Sequence, residues 1–226
     1  MKSIIISDLD LTLTRTSLMY ELSAHHIERG IIPRTVREER LAIHKRYDQG
    51  LIGYGQASLE ALAFWVNSLK GRNQVDLVAD AADYFIANCG IFYPFFPIMR
   101  ETYRSSHDFY LVTANLDFVA AAVCEVFGLD GYAATLVGAA GGVYDGTIKS
   151  SLLGADEKGA EAEKILRRYD AAGSIGLGDT ENDAVMLEQV AYPICVNASP
   201  GLRALAVSKG WRLANPEGVL DAASFK

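Results

Sequence analysis

Two aspartates separated by one residue, Asp8 and Asp10, follow directly on the run Ile4-Ile5-Ile6 and precede Leu11-Thr12. A triple isoleucine bounded by polar residues reads as a strand buried on both faces of a parallel sheet. Open parallel sheets place their ligand sites just beyond the carboxyl ends of the strands, so this pair stands where chemistry is usually done. Unpaired buried carboxylates are costly, which makes packing a poor reason for either residue. If the backbone between them is extended, the side chains point apart; if it turns, both flank one ligand. A metal-binding loop or an acidic signalling pocket shows a similar local pattern, so the rest of the chain must decide.

With 226 residues, 50% of them hydrophobic, the chain is long enough for one substantial core and a small second domain. The net charge of −7 and pI near 5.1, with no basic run, argue against nucleic acid or an anionic membrane as partner. Asp8 interrupts the apolar N-terminal stretch too early for a signal peptide, and no window reaches the roughly 18 apolar residues of a membrane span. Cys89, Cys124 and Cys195 are odd in number and widely spaced, as free thiols of a reducing compartment are. A soluble, cytoplasmic protein is expected, and its oligomeric state is left open.

The elements that must hold the aspartates follow from periodicity. Residues 16–89 carry four helical patterns punctuated by Gly30, Pro33, Gly50, Gly53, Gly55 and Gly71, which predicts an all-helical cap domain inserted after the first strand. Residues 1–15 and 90–226 then form the core. Residues 91–97, rich in aromatics, read as the return from the insertion. Strands are expected over 109–113, 174–178 and 192–196, with a hairpin over 135–137 and 143–148. Helices are expected over 118–127, stopped by Gly128, and from Lys158 through Tyr169. Strands alternating with helices in this order predict an α/β fold, a doubly wound, Rossmann-like parallel sheet with right-handed crossovers.

Four pieces of the chain belong together: Asp8-Leu9-Asp10-Leu11-Thr12, Thr113 at a strand end, Lys158, and Gly178-Asp179-Thr180-Glu181-Asn182-Asp183. Jointly they resemble the haloacid dehalogenase superfamily, and most closely its phosphoserine phosphatase-like branch with a helical cap. Each lies at a predicted strand end or helix start, so all can meet at one edge of the sheet. The resemblance implies a phosphomonoester phosphatase in which Asp8 is the nucleophile that becomes an aspartyl phosphate. Asp10 is then the general acid for the leaving group and the base for water. Such an attack needs cations and donors on the phosphoryl oxygens, for which Lys158 and the Thr113 hydroxyl have the right chemistry. Mg²⁺, a hard cation, suits Asp8, Asp179 and the backbone carbonyl of Asp10, with Asp183 positioning its waters or Lys158.

Asp10 favours ester hydrolysis, because dehalogenase and phosphonate-cleaving relatives lack that carboxylate. A mutase of the same superfamily and a catalytically silent binding protein on this fold are the alternatives. The partner expected is a small phosphorylated metabolite, phosphoserine-like or other, touched by Thr12, Asn115 and Asn182 on the core side. Glu21 and Arg46 are candidates on the cap side, with Arg15, Tyr20 and His25. Two departures from the phosphoserine enzymes stand out: Ser17 where a glutamate would read the substrate ammonium, and Thr113-Ala114-Asn115 in place of Ser-Gly-Gly. The four histidines show no ligand spacing, and the adjacency of His25 and His26 sends them to different sides of a helix.

Overall fold

In the computed structural model, which describes residues 2–217, Ile4, Ile5 and Ile6 are fully buried and form β1 (Ser3–Ser7). Burying each isoleucine is worth about 1.5–3 kcal/mol, so the first strand is also a principal anchor of the core. Four helices follow it: α1 (Leu18–Glu28), α2 (Thr35–Asp48), α3 (Tyr54–Ser68) and α4 (Gln74–Ala87). The chain then returns through α5 (Phe95–Tyr103), β2 (His107–Leu116), α6 (Asp117–Phe127), β3 (Gly131–Ala140) and β4 (Val143–Ser150). It closes with α7 (Ala155–Leu166), β5 (Ile175–Gly178), α8 (Ala184–Leu187), β6 (Tyr192–Val196), α9 (Pro200–Lys209) and β7 (Arg212–Ala214).

Among the described residues the strands make one sheet in the order β4-β3-β2-β1-β5-β6-β7, parallel throughout except for the β3–β4 pair. The chain winds outward to one side of β1 through β2 and to the other through β5. The order therefore reverses at β1, and the crevice at the carboxyl ends of β1, β2 and β5 is the place such sheets bind ligands. Ile5 pairs with Phe109 on one side and with Ile175 on the other, and these apolar neighbours hold the three strands in register.

Several expectations shift. Strand β2 runs on to Leu116, and its register against β3 slips between Val112 and Leu116. Such irregularities re-aim side chains beside functional sites, and here the affected residues are Thr113, Ala114 and Asn115. Lys158 lies one turn into α7, which stops at Leu166 and not Tyr169. Gly55 is inside α3 instead of ending a pattern. Helix α5, α9 and β7 went unforeseen, although Ser199-Pro200 carries a start signal for α9: the Ser199 hydroxyl accepts from the Leu202 N–H, with Pro200 at the first helical position.

Helices α1–α4 do not stand apart from the sheet. Leu77, Ala81 and Phe85 of α4 share one hydrophobic cluster with Phe118 and Val119 of α6 and with Ile5 of β1. The β3–β4 hairpin also grips the α3–α4 turn: Gly71 donates to the Tyr144 carbonyl at 2.8 Å, Tyr144 to Arg72 at 2.9 Å, and Gln74 to Gly142 at 2.8 Å. The Tyr144 hydroxyl donates to Asp117 at 2.7 Å in the buried seam beneath. At the other junction Arg15 donates to Ile91 and Tyr93 to Leu13, so the two chain passages lie side by side.

Candidate active site

Beyond β1 the chain does not stay extended. Leu11 adopts a left-handed backbone with φ 61°, and its N–H donates to the Thr14 hydroxyl at 3.1 Å. A leucine in that region costs energy, a cost common where structure holds a functional turn. The turn brings Asp8 and Asp10 to one cavity of about 730 Å³, shared with Thr113, Asn115, Lys158, Asp179 and Asn182. Ser17, just ahead of α1, and helices α1, α2 and α3 cover it with Met19, Tyr20, Arg40, Ile43, His44 and Leu62. A smaller hollow of about 400 Å³, lined by Glu188, Tyr192, Lys209 and Trp211, holds none of these aspartates.

Lys158 organises the floor. Its Nζ donates to Asp8 Oδ1 and to Asp183 Oδ1, each at 2.7 Å, and the side chain is 6% exposed. Burial alone lowers an ammonium pKa, but Asp183 and Asp8 outweigh it and raise that of Lys158. Burial pushes the Asp8 carboxyl up to about 6 against the downward pull of Lys158. The second Asp183 oxygen accepts from the Asp179 and Thr180 N–H groups at 3.1 and 3.0 Å, so this residue ties the motif loop to the lysine. Gly178 makes that approach possible, because a Cβ there would meet Asp183 Cβ at 2.5 Å.

Asp8, Asp179 and Asp183 each offer an oxygen within 4.8 Å of the others, with one ammonium between them. Burial, then the neighbouring Asp8 charge, pushes Asp179 up to about 9. No cationic side chain pairs with Asp179 among the described residues. Its hydrogen bond comes from the Thr12 hydroxyl, 3.2 Å from Asp179 Oδ1 and equally 3.2 Å from Asp8 Oδ2. One hydroxyl proton cannot satisfy both oxygens at once. Three buried carboxyls, where mutual repulsion adds to burial in raising Asp179, fit a hard divalent cation, which would offset that repulsion and favour their charged forms. The Asp10 carboxylate lies outside this group.

Asp10 belongs to the cap entrance instead. Its Oδ1 accepts from the Leu18 N–H at 2.8 Å, and its Oδ2 from Asn115 Nδ2 at 3.0 Å and the Ser17 hydroxyl at 3.3 Å. Burial pushes its carboxyl up to about 7 in spite of the Leu18 N–H, which lowers it. A carboxyl tuned to that range carries a proton for part of the time at neutral pH, as proton transfer requires. The Thr113 oxygen accepts from the Asn115 N–H at 3.1 Å, which leaves its O–H free to donate into the cavity.

The structure places the remaining expected residues elsewhere. Thr12 sits between two carboxylates and does not line the cavity. Glu21 accepts from the Tyr84 hydroxyl at 3.0 Å, and Arg46 pairs with Glu60 at 2.7 Å, both away from the lining. Arg46 flanks the apolar stripe of α2, whereas Arg40 falls on it with Val36, Ile43 and Tyr47 at i, i+4, i+7, i+11 spacing. A charge in line with Val36 and Ile43, the buried residues of α2, was the legible signal for Arg40. His25 and His26 also depart from expectation: both Nε2 atoms reach Asp80 Oδ2, at 3.1 and 3.2 Å, because adjacent side chains can bend toward one acceptor on a facing helix.

A doubly wound sheet whose switch-point crevice holds an aspartate pair, a buried lysine and a second acidic loop defines a class of hydrolase. The chain belongs to the haloacid dehalogenase-like hydrolase family, whose model matches residues 5–188. Among solved structures it is similar to a Bordetella pertussis Tohama I protein of unknown function, with TM-score 0.77, 24% identity, and 95% of this chain and 99% of that one covered. It is also similar to a HAD family hydrolase of Salmonella enterica serovar Typhi, with TM-score 0.67, 18% identity, and 96% and 68% covered. A substrate-bound phosphoserine phosphatase gives TM-score 0.61 at 21% identity over 90% of each chain. At these identities the likeness is one of fold. No curated protein matches the chain. Among the described residues no helix is long and apolar enough to cross a membrane.

Proposed function

We propose that the protein is a Mg²⁺-dependent phosphatase acting on a small phosphorylated metabolite through an aspartyl-phosphate intermediate. The observation that carries this reading is Asp8, held by Lys158 at 2.7 Å, in one cavity with an Asp10 carboxyl pushed up to about 7. Likeness in fold to proteins named phosphoserine phosphatases supports it. Residues 1–15 and 90–226 act as the catalytic core and residues 16–89 as its cap.

Asp8 attacks phosphorus: one Oδ–P bond forms while the bond to the leaving oxygen breaks. Asp10 delivers its proton to that oxygen, so the product leaves as an alcohol. The deprotonated Asp10 then takes a proton from water, whose oxygen attacks the phosphoryl group and releases Asp8 and inorganic phosphate. Lys158 and the Thr113 hydroxyl hold the phosphoryl oxygens, and Ser17 and Asn115 keep Asp10 aimed. Asp8 and Asp179, with Asp183 behind them and the Asp10 carbonyl, would hold Mg²⁺, which supplies positive charge that offsets repulsion between carboxylate and phosphate.

Phosphate release from a panel of phosphomonoesters tests the proposal, run with Mg²⁺, with chelator and with Asp8→Asn. Metal-dependent release abolished by the substitution is expected. Release that survives Asp8→Asn would refute it.

A further inference from the structure

We infer that the leaving group carries an oxyanion, carboxylate or phosphate, on an apolar or aromatic body, and that Arg40 reads it. This rests on the phosphatase reading and names the substrate class for that site. Of the carboxylates that line the cavity, Asp8 and Asp179 belong to the floor and Asp10 to the entrance, where the Leu18 N–H, Ser17 and Asn115 hold it; among the described residues helices α1–α3 contribute none. What these helices contribute is apolar surface, from Met19, Ile43 and Leu62, the His44 ring, which has Asp48 3.5 Å away, and the charge of Arg40, which has no such neighbour among the described residues.

Arg40 is half-buried and, among the described residues, has no acidic partner. Its Nη1 donates to the Ser23 hydroxyl at 2.6 Å and its guanidinium lies 4.5 Å from the centre of the Tyr20 ring. Those contacts fix the plane of the fork without neutralising it. A cation held in this way over an aromatic face, inside a cavity, is suited to a planar or tetrahedral oxyanion. An ammonium-bearing leaving group would meet like charge there and find no cap carboxylate to offset it. The Ser17 position agrees, since its hydroxyl is turned to Asp10. The volume of about 730 Å³ exceeds what a phosphoryl group needs and suits a leaving group with a ring or comparable bulk.

Calorimetric binding of non-hydrolysable phosphonates in Mg²⁺ separates this from turnover. The probes are benzylphosphonate and its 4-carboxy, 4-phosphonomethyl and 4-aminomethyl derivatives, with wild-type protein, Arg40→Met and Arg40→Lys. At least one of the two anionic derivatives is expected to bind about 10- to 100-fold tighter than benzylphosphonate, the range of a hydrogen bond to a charged group. The tighter of the two names the oxyanion, and the aminomethyl derivative binds more weakly than the parent. Arg40→Met collapses the anionic advantage toward a ratio of one, and Arg40→Lys restores part of it. An aminomethyl ligand that binds as well as the anionic ones, a ratio unmoved by Arg40→Met, or no binding of any phosphonate overturns the inference. This ranking without hydrolysis of any ester refutes the phosphatase reading alone, and hydrolysis with the ranking inverted refutes the recognition alone.

Discussion

Replacing Lys158 by methionine keeps the aliphatic stem and removes the ammonium that lies 2.7 Å from both Asp8 and Asp183. Breaking a buried ion pair from one side costs about 3–5 kcal/mol, because a desolvated charge is left behind. Asp8 has an escape, since it can take up a proton. With Lys158 present its carboxyl stands at about 6; without that pull it rises further, and each unit of rise costs about 1.4 kcal/mol once the pH exceeds it. The sign follows from linkage: a carboxyl raised in the folded state loses stability as pH increases from its unfolded value to its folded one. Well below pH 6 Asp8 is neutral in both proteins and this part of the cost vanishes. The difference in unfolding free energy between wild type and Lys158→Met should therefore grow from pH about 5.5 to pH about 8 by one to a few kcal/mol. Urea denaturation in chelator at the two pH values measures it. A difference that is the same at both, or below about 1 kcal/mol at pH about 8, would show that Lys158 does not neutralise Asp8 as described.

Asp10→Asn should lower kcat about 10²- to 10⁴-fold and, with p-nitrophenyl phosphate, leave a stoichiometric burst of p-nitrophenol followed by slow turnover; unchanged steady-state turnover contradicts the proton-transfer role. Gly178→Ala should destabilise the fold by about 1–3 kcal/mol and weaken Mg²⁺ affinity in calorimetry, since the new methyl meets Asp183 Cβ at 2.5 Å; wild-type affinity would show that Asp183 can shift freely. His26 is fully buried, and burial, against the pull of Asp80, lowers its pKa from 6.5 to about 4. The folded state then binds fewer protons than the unfolded chain between those values, so its contribution is complete above pH 6.5 and falls by up to about 3 kcal/mol as pH drops to 4. His26→Leu should remove that slope from a denaturation series over the same range, and an unchanged slope places the titration elsewhere.

The floor of the site was legible because its residues sit at or within a few positions of strand ends, or in the first turn of a helix, where local pattern and position in the fold coincide. The isoleucine run marked β1, Gly128 marked the end of α6, and Asp8, Thr113, Lys158 and Asp179 were each attached to such an end. Parallel sheets bring carboxyl ends together regardless of the residues between them, so spacing along the chain sufficed. The bend at β2 was less visible, because a register slip depends on the neighbouring strand.

By itself, then, the sequence determined the alternation of strands and helices, the inserted helical segment, the acidic pair with its lysine and the family to which they belong. Only the tertiary structure decided which charges face the cavity and which pair off elsewhere. Arg46 and Arg40 lie on the same helix, yet Glu60 takes the first while the second is left facing the cavity. Likewise Ser17 and Asn115 converge on Asp10 from either side, though 98 residues separate them in the chain. The physical reason is that helical periodicity fixes a side chain's face but not its neighbour, and electrostatics inside a protein is decided by neighbours a few ångströms away.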